Sequence, residues 1–305
     1  MKPEKPIPRN PGPNWGYAFL VWAERGWPSW IFRPGLMAGT WIGLACMPVQ
    51  RAHSRAYLAV IFGRPPRLIE VWRHFFAFTE FLMHKLRVGR GVPMACEFVA
   101  VNPVDFKKLD ESDRPALFGT FHFGCSDLLG YLLGARGRSV SIIRLRVDNS
   151  DDTRWLGQRF GRKVSFLWVN DPANLLFEMK DALEAGKSLA MKCDRLEFSA
   201  KTEPFQFLGA TRRFPFTIYH LAILFNRPVM FCTAVPAAGQ DAIRVFASAV
   251  FEPDATVGRA ANLHHARAHF QAVLSDLETL VRAQPLLWFN FLPLNPVAPD
   301  AAQTS

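Results

Sequence analysis

The chain has no apolar run long enough to cross a bilayer as a helix. The best candidate, Leu36 to Val49, is fourteen residues long, with Arg33 and Pro34 just before it and Arg51 just after it. A spanning helix needs about 20 apolar residues. Cysteine is scarce: Cys46, Cys96, Cys125, Cys193 and Cys232 are scattered with no C-x-x-C spacing, and their odd number argues against a disulfide framework. That pattern fits a reducing, cytoplasmic setting. The first residues, Met1 to Pro13, carry Pro and Lys but no apolar signal core, so secretion is not expected. There is no compact Lys/Arg run and no nucleic-acid motif, no G-x-S-x-G turn and no H-E-x-x-H pair. These absences count against a nucleic-acid partner, an esterase elbow and a zinc-protease site. No metal and no bound cofactor is expected.

What is present is apolar and basic. Half of the 305 residues are hydrophobic, with 27 Phe and 9 Trp, and the formal net charge is +10. A chain this apolar folds around a large core, and its charge suits phosphate-bearing or acidic partners. The basic residues are interleaved with aromatics: Arg25 and Arg33 lie among Trp15, Trp22, Trp27, Trp30 and Trp41. Trp and Arg mixed in this way favour an anionic membrane face, with residues 36–49 lying in the interface or packed as a hairpin on the main domain.

Residues 15 to 92 read as helical. Leu68, Trp72, Phe75, Phe78, Leu82 and Leu86 recur at helical spacing, interrupted by Arg73, Glu80 and Lys85. Gly89-Arg-Gly-Val-Pro93 ends that region. From 93 to 294 short β-like runs alternate with helical ones. The strands expected are Cys96–Val101, Ala116–Phe121, Val140–Leu145, Val164–Trp168, Ser188–Cys193, Val229–Val235 and Ile243–Phe246. Helices are expected near Ser126–Leu133, Thr153–Phe160, Pro172–Ala185 and Phe216–Asn226, with a last one from Ala260 to Ala283. The alternation predicts an α/β fold: a layered sandwich with a central mixed sheet flanked by helices, preceded by an N-terminal helical, membrane-associating region. Residues 1–14 and 295–305 are expected to be flexible ends.

The chemistry concentrates in Leu117-Phe-Gly-Thr-Phe-His-Phe-Gly-Cys-Ser-Asp127. An apolar strand delivers His122 to a glycine turn, and Asp127 falls in the first turn of the next helix. An imidazole beside a carboxylate is a general base able to strip a proton from an alcohol. The plainer alternative is a strand-end His bonded to a helix-capping Asp. Free N–H groups at the turn, near Gly124, would receive an oxyanion. Cys125 and Ser126 in the same turn are alternative nucleophiles, which would make the protein a hydrolase. Arg144 and Arg146 end a strand and are expected on one face, able to hold a phosphate or polarise a carbonyl; ion pairs with Asp148, Asp151 or Asp152 are the simple alternative. Asp194 and Arg195 stand at a strand end, where α/β sheets bind ligands. Arg212 and Arg213, after Phe207-Leu-Gly209, stand before an apolar helix and are candidates to grip phosphate. His264, His265 and His269 are expected on a solvated helix face.

Taken in order, these pieces resemble the bacterial lipid A biosynthesis acyltransferase family, of lysophospholipid-acyltransferase-like proteins. The family's H-x4-D/E motif falls on His122 and Asp127. Trp22-Ala-Glu-Arg-Gly26, Arg55-Ala-Tyr-Leu58 and Val71-Trp-Arg-His-Phe75 resemble its N-terminal helical portion. Ile143-Arg-Leu-Arg-Val-Asp-Asn149 resembles its Arg segment, with Arg144 or Arg146 in the Arg position. Ala190-Met-Lys-Cys-Asp194 resembles its strand ending in Asp, Phe205-Gln-Phe-Leu-Gly209 its F-x-G step, and Gln284-Pro-Leu-Leu-Trp-Phe-Asn290 its closing P-x-x-x-W segment. The chain departs from the usual H-x-G-N-W-E, having His122-Phe-Gly-Cys-Ser-Asp127, and from D-x-D-x-G, having Asp194-Arg-Leu-Glu-Phe198.

The resemblance implies transfer of a fatty acyl chain from a thioester, on acyl carrier protein or coenzyme A, to a hydroxyl of a membrane-associated lipid or glycolipid such as a lipid A precursor. His122 would be the base and Asp127 its partner, with Gly124, Arg144, Arg146, Asp194, Arg195, Gly209 and Arg213 around substrate or oxyanion. It places the protein at the cytoplasmic face of the bacterial inner membrane, peripheral or monotopic. A non-catalytic lipid-binding protein on the same fold is the alternative of another class.

Overall fold

The computed structural model describes residues 16–147, 160–161, 163–171, 173–196, 199, 201–237 and 242–297. Trp15, Asp148, Asn149, Asp151, Asp152, Pro172 and the helix expected at Thr153–Phe160, apart from Phe160, lie outside them.

Four helices come first: α1 (Gly16–Gly26), α2 (Ser29–Cys46), α3 (Pro48–Phe62) and α4 (Leu68–Arg90). The long apolar stripe of α4 is the reason they assemble. Val71, Trp72, Phe75, Phe81 and Leu86 are buried, Trp41 of α2 stacks on Trp72 at 5.4 Å, and Glu24 of α1 takes Arg87 and Arg90 of α4, each at 2.5 Å. Gly91 ends α4 in the left-handed conformation, φ 94°.

The rest is a mixed α/β layer structure. Strands β1 (Ala95–Ala100), β2 (Leu117–Thr120), β3 (Val140–Arg144), β4 (Val164–Trp168), β5 (Ser188–Lys192), β8 (Val229–Pro236) and β9 (Ala242–Phe251) form one sheet, in the order β1-β9-β8-β2-β5-β3-β4. Pairing is parallel throughout except between β8 and β9. The central strands are buried on both faces and read as continuous apolar runs, which is what a covered parallel sheet requires. Helices α5 (Pro103–Glu111), α6 (Leu129–Ala135), α7 (Leu175–Glu184), α8 (Thr217–Phe225) and α9 (Arg259–Ala283) flank it. One apolar core, with Phe118, Leu129, Ala190, Met230 and Val245, lies on one face. A second, with Leu117, Leu189, Phe231, Ile218 and Phe270, lies on the other.

Three elements depart from the sequence expectation. Pro103–Glu111 is helical, started by Asn102, whose side chain accepts the Asp105 N–H at 3.2 Å. Thr202–Phe207 and Ala210–Pro215 form a separate two-stranded hairpin, β6 and β7. The 126–133 segment opens with a 3-10 turn, Ser126–Leu128, before α6.

No helix among the described residues is long and apolar enough to cross a membrane. Residues 36–49 sit mostly within α2, which packs on α4 through Leu44 and Trp41 yet leaves Ile42 66 % exposed; Trp30 is 74 % exposed, and Trp22, Trp27, Met37 and Val49 are also out in solvent.

Candidate active site

The sheet's register builds the site. Thr120 of β2 lies opposite Lys192 of β5 in parallel pairing. Two residues further along each strand stand His122 and Asp194, again level with each other. The Asp194 carboxylate accepts from His122 Nδ1 at 2.7 Å and from the His122 backbone N–H at 2.8 Å. Asp194 is fully buried, while the His122 side chain keeps 18 % exposure.

The expected pairing of His122 with Asp127 is therefore corrected. Asp127 bonds to Lys85 of α4 at 3.1 Å and to Lys192 at the end of β5. Proximity in sequence suggested Asp127; strand register supplies Asp194 from 72 residues away. From the sequence, Lys85 reads only as a polar interruption of the helical stripe, and Lys192 has no assigned role. The signal for Lys85 is its position on the apolar stripe of α4, and for Lys192 its position two residues before Asp194 at a strand end.

Electrostatics follow from burial. Burial pushes the His122 pKa down to about 4, against the pull of Asp194. The ring is neutral at neutral pH. Burial pushes the Asp194 carboxyl up, but the His122 ring and Lys192 outweigh it and hold the group below its usual range. An ionised Asp194 can only accept, so Nδ1 carries the proton and Nε2 keeps its lone pair. Burial likewise raises Asp127, and Lys192 and Lys85 overcome it, holding that carboxylate well below the ordinary value. Burial lowers the Lys192 ammonium, and Asp127 offsets part of that.

The glycine turn differs from expectation in one respect that matters for chemistry. Gly124 has φ 55°, and a Cβ there would overlap the Ala234 carbonyl; only glycine fits. The close approach engages three of the turn's backbone donors. Gly124 N–H donates to Leu287 O at 2.7 Å, Cys125 N–H to Ala234 O at 2.7 Å and Ser126 N–H to Phe123 O at 3.4 Å. Those three N–H groups are therefore not free to receive an oxyanion in the way expected near Gly124. The alternative nucleophiles fare no better. Cys125 is fully buried, and burial pushes its thiol up to about 12. Ser126 is buried and its hydroxyl donates to Phe123 O.

A second brace comes from residues 287–290. The peptide bond between Trp288 and Phe289 is held on both sides. Its carbonyl accepts from the buried His74 Nε2 of α4 at 2.7 Å, and its N–H donates to the His122 carbonyl at 2.7 Å. His74 Nδ1 in turn accepts from Ser54 Oγ of α3 at 2.8 Å. One peptide thus links the N-terminal helices to the His122 backbone.

His122, Gly124, Ser126, Asp127, Lys85, Lys192, Arg144 and Arg195 all line one cavity of about 740 Å³, whose remaining walls are mainly Phe, Leu, Ile and Met. Arg195 is steadied by Asn290, Nε to Oδ1 at 2.9 Å. Of the two strand-end arginines only Arg144 lines the cavity. Arg146 is exposed, with its guanidinium 4.9 Å from the Trp168 ring. Two expected residues fall elsewhere. Gly209 makes the β6–β7 turn at φ 74°, and Arg213 lies within β7, its side chain reaching Thr202. Neither lines the cavity, because the run between Phe207 and Phe216 is a hairpin and not a helix start. His269 is half-buried, bonded to Tyr219 at 2.6 Å and to the Ala249 carbonyl at 2.9 Å, not solvated. Among the described residues no three His, Cys, Asp or Glu side chains group as a metal site.

The fold and the site together define a mixed α/β protein with a buried His-Asp pair at the C-terminal ends of parallel strands. No family model matches the chain, and no curated protein matches it. Among solved structures it is similar to the 1-acyl-sn-glycerophosphate (LPA) acyltransferase, PlsC, from Thermotoga maritima, at 12 % identity over 80 % of this chain and 96 % of that chain, with a TM-score of 0.38.

Proposed function

We propose that the protein is an acyltransferase that moves a fatty acyl group from a thioester to a hydroxyl of an amphiphilic, membrane-associated acceptor. The observation that carries this reading is His122, held by the buried Asp194, lining a large, mainly apolar cavity together with Lys85, Lys192, Arg144 and Arg195. A neutral imidazole with its Nε2 lone pair in the cavity is suited to take a proton from an alcohol. The alkoxide oxygen bonds to the thioester carbonyl carbon, giving a tetrahedral oxyanion. The C–S bond then breaks, and the thiolate leaves with the proton held by His122. Asp194 keeps the ring oriented and stabilises its protonated form. With the N–H groups of Gly124, Cys125 and Ser126 engaged, the oxyanion falls to side-chain cations, of which Lys192, Arg195 and Arg144 line the cavity with His122.

The donor we propose is an acyl thioester of acyl carrier protein or coenzyme A; the basic surface suits either acidic carrier. The acceptor is a lipid or glycolipid, of which a lipid A precursor is one example. Residues 15–92 serve as the membrane-associating part, supported by the exposed Trp and Ile side chains of α1 and α2 and by Val49 of α3, at the cytoplasmic face of the inner membrane. The test is transfer of a labelled acyl group from each donor to extracted membrane lipid, read by mass spectrometry. His122→Ala should stay folded and lose about 10²–10⁴-fold in rate. Transfer by that variant at the parent rate would remove His122 from the mechanism.

A further inference from the structure

The cavity has two arms, one on each face of the sheet. Ile142 and Ile143 are consecutive in β3, and Ala190 and Met191 are consecutive in β5, yet all four line the same cavity. Neighbouring residues of a strand point to opposite faces. Strands β2, β5 and β3 are hydrogen-bonded side by side, so the space cannot pass between them. It passes round their C-terminal ends, where His122, Lys192, Arg144 and Arg195 stand.

The two arms belong to different cores. On the face of Ile142 and Ala190 the walls are Phe118, Leu129, Leu133 and Cys232, of the core beneath α6. On the face of Ile143 and Met191 they are Met179 of α7 and Ile218 and Leu221 of α8. Both arms are lined mainly by apolar side chains, although Asp110, Arg136 and Arg138 also line the cavity, and Lys85, Lys192, Arg144 and Arg195, with Asp127, gather near the junction of the arms. At the junction those four cations outnumber Asp127 and the buried Asp194, which leaves a positive centre between two mainly apolar slots.

We infer that the cavity holds two hydrocarbon chains at once: the donor's acyl chain in the arm beneath α6, and the acceptor's own chain in the arm along α7 and α8. The acceptor is thus an amphiphile with an anionic headgroup and a hydrocarbon chain of its own. The second arm is assigned to the acceptor because Met47 and Gln50, at the junction of α2 and α3, line the same cavity. Met47 packs on the core of that arm, and its neighbours Val49 and Ile42 are exposed apolar residues. A chain drawn from a bilayer reaches this arm first, while its headgroup stops at the cations beside His122.

This inference rests on the acyltransferase reading, but its test does not depend on turnover. The full-length chain is titrated with palmitate and with a dodecyl phosphate bearing a diazirine at the chain end, and bound chains are counted by native mass spectrometry. A complex holding one of each is expected, with photolabel on the peptides of Met179, Met191 or Leu221. Ala190→Trp should lose the palmitate and keep the phosphate, and Leu221→Trp should do the reverse. Ala190→Leu and Leu221→Phe, milder fillings, should show the same order of weakening if the Trp variants do not fold. A complex that never holds more than one chain, or label confined to the Leu129 and Leu133 peptides, would overturn the two-arm assignment. Either result would leave the role of His122 to its own assay.

Discussion

Two carboxylates in this site do different work, and their side-chain partners say which. Among the described residues the Asp194 carboxylate hydrogen-bonds to the ring and backbone of His122, so its loss should strike rate. Asp127 holds Lys85 and Lys192, so its loss should strike stability. Asp127→Asn removes the carboxylate that pairs with two largely buried ammonium groups, a change that costs on the order of 3 kcal/mol. Urea denaturation should show that drop as a lower midpoint with an unchanged slope. The His122 pKa, held near 4 by burial, makes a further claim. The base is active when neutral, so kcat/KM should hold level as pH falls through 6.5 and decline only on approaching 4. An acid limb centred at 6.5 would mean an exposed, ordinary imidazole. The motif from His122 to Asp127 was legible in the sequence, and both side chains do line the cavity. Which acid serves the imidazole was not legible, because that is decided by the parallel register of β2 against β5, a contact between segments far apart in the chain.

At the scale of elements, the catalytic turn is clamped between the edge of β8 and the segment 287–290. The clamp makes α4 part of the active site through His74. His74→Leu removes the donor to the Trp288 carbonyl and leaves that buried acceptor unpaired. It should lower kcat with little change in KM, because the peptide that steadies the His122 carbonyl is freed while the cavity walls stay in place. His74→Gln, which can still donate an N–H to that carbonyl, should recover most of the rate. Equal losses in both variants would show that ring packing against Phe289 and Phe291 matters and the hydrogen bond does not. Most strands were readable as short apolar runs, since a parallel sheet covered on both faces needs them. The β6–β7 hairpin was not, because Arg212 occupies a buried position of its alternating pattern and its turn uses Leu208 and Gly209 at positive φ. The α5 helix hid behind a low apolar content, and what starts it is the Asn102 cap.

For the molecule as a whole, histidines couple folding to acid. His74 and His122 are both pushed down to about 4, chiefly by burial, whereas an unfolded histidine titrates near 6.5. Between those values the unfolded chain binds more protons, so stability falls as pH drops from 6.5 toward 4, by up to about 1.4 kcal/mol per pH unit for each histidine. The same drop measured in His74→Gln should be shallower. The apolar surface of α1 and α2 makes a separate claim. Replacing the exposed Trp30 and Ile42 with Ser should weaken binding to anionic vesicles in a flotation assay while leaving the unfolding midpoint within the usual small range for surface changes. The mixed composition of Trp and Arg in this region was visible in the sequence. How α2 divides between packing on α4 and facing solvent was not, since that depends on where the α4 stripe stops.

The single-turnover rate of acyl transfer by Asp194→Asn tests the central claim most directly. An amide in place of the carboxylate keeps the shape but cannot hold the Nδ1 proton or balance the charged ring. A folded variant slowed by about 10²–10⁴-fold is the expected result. A rate equal to the parent's would contradict the account, because the imidazole would then be working without the acid that the sheet register sets beside it.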